Sequence, residues 1–207
     1  MKKLLVVLFT ITLFSISAQA QMQLGLKAGL NLANLSGDDA GSPDSKTGFA
    51  FGGFFTYQFS PMFAIQPEIY YSMKGATENI TFEGTTVDLT YTFDYIEIPF
   101  LIKFMIPIKE SNVKPAIFAG PYFAINTTAK VKAEYQGQSE EEDLDELKSS
   151  EFGLQFGGGI GFPVGNGELG FDVRYILGLS TIFDVEGDPD VKNSVINFNL
   201  FYAFSLK

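Results

Sequence analysis

Nine ionisable side chains fall on one alternating face of the chain's extended stretches: Lys27, Glu68, Lys74, Glu97, Lys103, Glu151, Glu168, Asp172 and Arg174. Carboxylates held close together can do acid–base work, one kept protonated by its neighbour while the other stays ionised. That chemistry commonly recruits a histidine base or a cysteine nucleophile, and the chain has neither. Four basic against five acidic groups is near charge balance, which is what a buried structural network requires. The residues therefore read as an interior charge network built on Glu68, Glu97, Lys103, Asp172 and Arg174. In that network Arg174 pairs with Glu97, Glu68 or Asp172, and Lys103 takes whichever carboxylate remains. No catalytic residue is assigned.

Other motifs carry less. Glycines at 157, 158, 159 and 161 suggest a phosphate loop, but no Lys-Ser/Thr follows and no helix starts there. They read more simply as space-makers in a crowded interior. Asp184, Glu186, Asp188 and Asp190 could offer hard oxygens to Ca²⁺, yet their spacing matches no calcium loop. Two Asn-x-Thr matches, at Asn79 and Asn126, read as chance. No cofactor and no metal is expected.

The elements that would position the charges are strands. From Glu151 to Leu179 the sequence alternates strictly. Phe152, Leu154, Phe156, Ile160 and Phe162 share one face, with Gly153, Gln155, Gly157, Gly159 and Gly161 on the other. After a turn at 163–167, Leu169, Phe171, Val173, Tyr175 and Leu177 oppose Glu168, Gly170, Asp172, Arg174 and Ile176. Period two means β-strand, because side chains change face at every residue. The small and charged face is poor cladding for water but fits a narrow interior, with the large apolar face turned to lipid. Lipid cannot satisfy an open sheet edge, so such strands must close on themselves.

Six more stretches repeat the pattern: 24–32, 49–59, 63–74, 94–107, 114–127 and 196–206. The expected fold is therefore all-β, an eight-stranded antiparallel up-and-down transmembrane β-barrel over residues 21–207. Pro67 cannot donate to a ladder, which suggests a bulge there. Residues 76–92 should fold back at Glu83-Gly84 as a hairpin above the membrane. In the longest loop Ser139 and Glu142 form a capping-box spacing, which predicts a short helix over 140–148. Residues 180–193 read as a polar loop. Tyr57, Tyr71, Tyr91, Phe93, Tyr95, Tyr175 and Tyr202 are read as interfacial girdles. Phe54, Tyr70, Leu101, Phe118, Tyr122 and Phe201 should point inward and fill the interior.

Residues 1–20 read as a secretory signal: Lys2 and Lys3, an apolar run over 4–16, and Ala18-Gln19-Ala20 before cleavage. The run is short for a membrane span. The 207-residue chain carries a net charge of −10, which argues against nucleic-acid binding. Eighteen of its 24 carboxylates lie in residues 35–47, 76–94, 128–150 and 180–193, the stretches expected to face the cell exterior.

Asp94-Tyr95-Ile96-Glu97-Ile98-Pro99-Phe100-Leu101-Ile102-Lys103 resembles a strand of the Bacteroidota outer-membrane β-barrel family labelled PorT-like or porin family. Ala119-Gly120-Pro121-Tyr122, Phe152-Gly153-Leu154 and Arg174-Tyr175-Ile176-Leu177-Gly178-Leu179 are similar to its later motifs. The chain ends in Ser205-Leu206-Lys207 instead of an aromatic residue, with Phe204 nearby as the substitute assembly signal. The resemblance implies an outer-membrane location, contact with outer-membrane lipid and passage through the barrel-assembly machinery. It implies no single activity.

The function expected is a small non-enzymatic outer-membrane barrel, its interior closed and its acidic loops carrying any binding. The loops' extracellular or envelope partner is not legible. A diffusion channel for small solutes and an exported soluble carrier of the lipocalin kind are the alternatives. The carrier would need apolar residues facing inward, against the pattern.

Overall fold

The computed structural model describes residues 21–82 and 85–206. The expected signal at 1–20 and the turn at Glu83-Gly84 lie outside the described residues. Nine strands follow in order: β1 (Gln21–Ser36), β2 (Asp44–Gln58), β3 (Phe63–Phe82), β4 (Thr85–Met105), β5 (Lys114–Tyr135), β6 (Gln138–Asp143), β7 (Ser150–Val164), β8 (Gly167–Gly178) and β9 (Lys192–Leu206). Consecutive strands pair antiparallel, except that β6 pairs with β5 alone and β7 passes over it to pair with β5. β1 pairs with β9 from Met22↔Leu206 to Ser36↔Lys192. The result is a closed up-and-down barrel of eight strands, with β6 attached to the outer part of β5. Closure leaves no edge in the ring, the condition a lipid-embedded sheet must meet.

The faces are inside-out relative to a water-soluble protein. Leu26 (66 %), Leu200 (65 %), Phe49 (61 %) and Ile69 (59 %) point away from the barrel, while Lys74, Glu97, Gln155 and Asn31 are fully buried within it. β5, whose two faces are the least distinct in sequence, turns Ile117, Phe123 and Ile125 outward and buries Phe118 and Tyr122. Crowding inside explains the glycines. A Cβ on Gly157 would sit 2.2 Å from the Val173 carbonyl oxygen and 2.9 Å from the Cβ of its cross-strand partner Arg174. Without that space the guanidinium could not be seated beside β7.

Three expectations are corrected. No bulge occurs at Pro67. The β3–β4 register is the same at Pro67↔Phe100 and Tyr70↔Glu97, and the irregularities lie at Ser45/Ala50 and Asp94/Tyr95. Proline simply leaves the ladder unpaired locally. The helix expected over 140–148 is strand β6. Gln136 (φ 47) and Gly137 (φ 79) take the two positive φ values of a two-residue hairpin turn, and glycine accepts the second at no steric cost. The turn lays Glu141 opposite Lys132 and Asp143 opposite Lys130, so the acidic run finds cross-strand partners that a helix would not supply. Finally, Phe93 and Tyr95 are buried and Tyr91 packs beside them, so these three line the mouth of the barrel and form no girdle.

About 9–11 residues of a tilted strand suffice to cross a membrane. β3, β4 and β5 have 20, 21 and 22 residues. Together with β6 they continue well past the ring as a four-stranded sheet on one side of the mouth.

Candidate functional site

The interior is organised in layers, and each draws on strands from several sides of the ring. At the end bearing the long connections lies an apolar cap. Ile182 and Val191 from the last loop are buried against Phe93, Tyr95, Tyr122 and Val195, with Leu144, Leu147 and Phe183 packed on them. The loop is held in place by backbone bonds from Ile182 N to Val191 O (2.9 Å) and from Lys148 N to Ile182 O (2.8 Å). Asp190 N donates to Asp39 Oδ2 (2.8 Å), which joins the first loop to the last. The segment 180–193, polar in overall composition, thus buries its few apolar residues as a plug. Ile182-Phe183 and Val191 were the available signal for it.

Below the cap, Lys74 lies between Glu97 (2.9 Å) and Glu151 (3.0 Å), over the rings of Tyr95 and Tyr122. Tyr122 and Asn193 donate to Glu151, and Tyr70 (2.7 Å) and Gln155 (2.8 Å) donate to Glu97. The next layer is centred on Arg174. Its Nε and Nη2 both reach Asp172 at 3.0 Å, and its Nη1 reaches Glu68 at 2.8 Å. Lys27 also pairs with Glu68, and the guanidinium lies over Phe118. The planar fork serves two carboxylates at once, which an ammonium could not do with the same geometry. Asn31, Asn197 and Asn199 extend the chain of bonds around to Ser72 and Asp172.

Of the five residues assigned to the interior network, the structure brings Glu68, Asp172 and Arg174 into direct contact. Glu97 belongs to the Lys74 layer and meets the Arg174 layer through Gln155, whose Oε1 accepts from Arg174 (3.3 Å), and through Tyr70, whose ring lies under Lys27. Lys103 is placed differently from the expectation. It donates to Gln66 Oε1 at 2.9 Å, and no carboxylate lies within salt-bridge reach of it among the described residues. Two bonds within β1–β3 explain this, since Lys27 and Gln66 have already engaged Glu68. Glu151, Lys74 and Lys27 carry as much of the network as the assigned five.

The arrangement suits holding charge: the carboxylates of these two layers are buried and engaged by cations or amides. Glu97 Oε1 has no aligned donor, but Lys74 stands beside it at 2.9 Å. In the last loop Asp188 accepts from Lys148 and Asp190 pairs with Lys192, and no three carboxylates converge on a metal-sized point among the described residues.

With this geometry in view, comparison with known proteins is informative. The family model described as "Outer membrane protein beta-barrel domain" matches residues 17–184. The chain belongs to this family. Its fold is similar to the crystal structure of the outer membrane protein OprG from Pseudomonas aeruginosa (TM-score 0.51, 13 % identity), covering 90 % of this chain and 95 % of that one. Weaker likenesses include Neisserial surface protein A (TM-score 0.47, 15 % identity, 86 % and 95 % covered). Another is Ail, the attachment invasion locus protein of Yersinia pestis (TM-score 0.44, 18 % identity, 88 % and 98 % covered). No curated protein matches by sequence. The family places this β-barrel in the outer membrane.

The loop carboxylates of this outer-membrane barrel make the cap sensitive to acid. The hydrogen bond from Lys148 holds the Asp188 carboxyl below its ordinary range, and Lys192 does the same for Asp190. A group more acidic when folded contributes above its unfolded pKa, about 3.9 for aspartate, and stops contributing as pH falls through the lower folded value. Hydrogen exchange at the Ile182 and Val191 amides should therefore accelerate at about pH 3 relative to pH 6, after correction for intrinsic rates. Amides in the middle of β8 should not follow. Equal responses in the cap and the mid-barrel would remove these loop ties from the explanation.

Proposed function

We propose that this protein is a closed, non-enzymatic outer-membrane barrel of the Bacteroidota PorT-like kind, with a structural interior and binding carried by its acidic outer loops. The observation that carries the reading is the stack of cap, Lys74 layer and Arg174 layer, which closes the interior above the end bearing the short turns. Eight strands enclose a space only just wide enough for side chains. Here Tyr70, Leu101, Phe118 and Tyr122 fill it together with the paired charges. A permeating ion would have to break buried pairs that repay their desolvation only while intact.

In barrels of this class short turns face the periplasm and longer loops the exterior. The turns at 59–62, 106–113 and 165–166 then lie inside, and the acidic sheet and cap outside. Outer-membrane lipid surrounds the apolar face, the assembly machinery inserts the chain, and the leader is removed after Ala20. In planar bilayers the purified monomer should give no steady ion conductance. Stable, reproducible single channels would replace this reading with the diffusion-channel one.

A further inference from the structure

At the end of the barrel bearing the short turns, below the Arg174 layer, the interior opens into a cavity of about 330 Å³. That falls within the range of small-molecule pockets. Its walls are part polar and part apolar, and one of the charges on them has no salt-bridge partner. Lys103 lines it, alongside Met105, Ile106, Ile108, Phe118 and Phe201. The two carboxylates that also reach the cavity are engaged: Asp172 accepts from Nε and Nη2 of Arg174, and Glu168 holds Lys114 at 3.0 Å.

The Arg174 layer balances internally, with Lys27 and Arg174 against Glu68 and Asp172. With Lys114 paired to Glu168, Lys103 is the interior cation at this end without a salt-bridge partner among the described residues, in a chain whose net charge is −10. One of its three ammonium hydrogens is directed to Gln66 Oε1 (2.9 Å). Gln66 is fixed in turn by Thr56 (2.8 Å) and by its own bond to Glu68 (2.6 Å), so its amide oxygen cannot turn away. Two N–H groups remain for a partner in the cavity. An ammonium in a partly desolvated site is stabilised by an opposite charge in direct contact with it, and among the described residues no carboxylate lies within salt-bridge distance of Lys103.

We propose that this cavity binds a small amphiphile with a single carboxylate. Its head accepts hydrogen bonds from Lys103, and its alkyl body lies along Met105, Ile106, Ile108 and Phe201. The head supplies the charge that Lys103 lacks, and the body covers apolar side chains left open between the short turns.

Mature protein in phospholipid nanodiscs, labelled with ¹³C at the isoleucine δ1 methyls, tests this with octanoate as the probe. The Ile106 and Ile108 methyl signals should shift saturably with octanoate. They should not shift saturably with octylammonium, which has the same chain and the opposite charge, or with acetate, which has the head alone. Lys103→Met should weaken octanoate binding roughly tenfold or more, the usual loss for a hydrogen bond to a charged group. Lys103→Arg should hold it within about threefold. Heat-modifiable gel mobility reports whether each variant is folded. The comparison of octanoate with octylammonium on the unmodified protein needs no variant. Non-saturable shifts, an equal response to octylammonium, or unchanged binding in folded Lys103→Met would each overturn the proposal.

Discussion

Replacing Arg174 with methionine should destabilise the barrel by about 3–5 kcal/mol, the range found when one partner of a buried ion pair is removed. The guanidinium leaves behind two carboxylates in unequal positions. Glu68 still has Lys27 and the amide of Gln66. Asp172 keeps only Asn199, at 2.9 Å. The burden of an unpaired buried charge therefore falls mainly on Asp172. Adding Asp172→Asn to Arg174→Met should recover a large part of the loss, and adding Glu68→Gln should recover less. Groups in one network are not additive, so the double variants test the contacts more sharply than the single one. Urea titration of the refolded protein in lipid, read by heat-modifiable mobility, gives the comparison. A loss under about 1 kcal/mol for Arg174→Met, or no relief from Asp172→Asn, would contradict the network as described.

The second large effect is on the opposite face. Arginine at Phe156 or Leu200 should cost about 2–4 kcal/mol, because a charge near the bilayer midplane has neither water nor a partner. Phe156 packs on Tyr175 with ring centroids 5.4 Å apart, and Leu200 lies between Ala28 and Phe171. Arginine at Phe204, beside the turn that joins β7 to β8, should cost only about 0–1 kcal/mol. Gln155, the chain neighbour of Phe156, is sensitive for a different reason. It bonds Tyr70, Glu97 and Arg174 at once, so Gln155→Leu should cost about 1–3 kcal/mol through unsatisfied polar groups. A flat profile across 156, 200 and 204 in the same titration would mean that this face does not contact lipid.

The barrel was legible in the sequence because a period of two is a local property. Each strand states which side is small and charged and which is large and apolar, and β5 could be assigned by the same criterion. Partner choice inside was not legible. Lys27 meets Glu68 41 residues away, and Arg174 meets Glu68 106 residues away, in both cases between strands that are not hydrogen-bonded to each other. Such pairs depend on the stagger of the whole ring, which no single stretch encodes. Residues 138–143 misled for a related reason. Ser139 and Glu142 have helical spacing, but Lys130 and Lys132 across the Gln136-Gly137 turn decide the outcome. The cap was hidden by averaging, since Ile182 and Val191 are few among many polar residues.

The pairing of β1 with β9 has a bearing on how the molecule is made. Met22 and Leu206 are opposite each other in the ring, so the first and last strands meet at a single seam on the rim of the short turns. Every other strand in the ring finds its partner within one hairpin or one loop. The seam alone must gather residues from the two extremes of the sequence, the contact of highest order in the fold. Loop-closure entropy grows only with the logarithm of the distance spanned, so the finished barrel bears little thermodynamic penalty for this. The rate bears it instead, because distant pairings form slowly. Until the last strand arrives, two open edges stand ready to pair with any other chain. Order of synthesis thus matters to this ring only while it is open, and once shut it has no first strand.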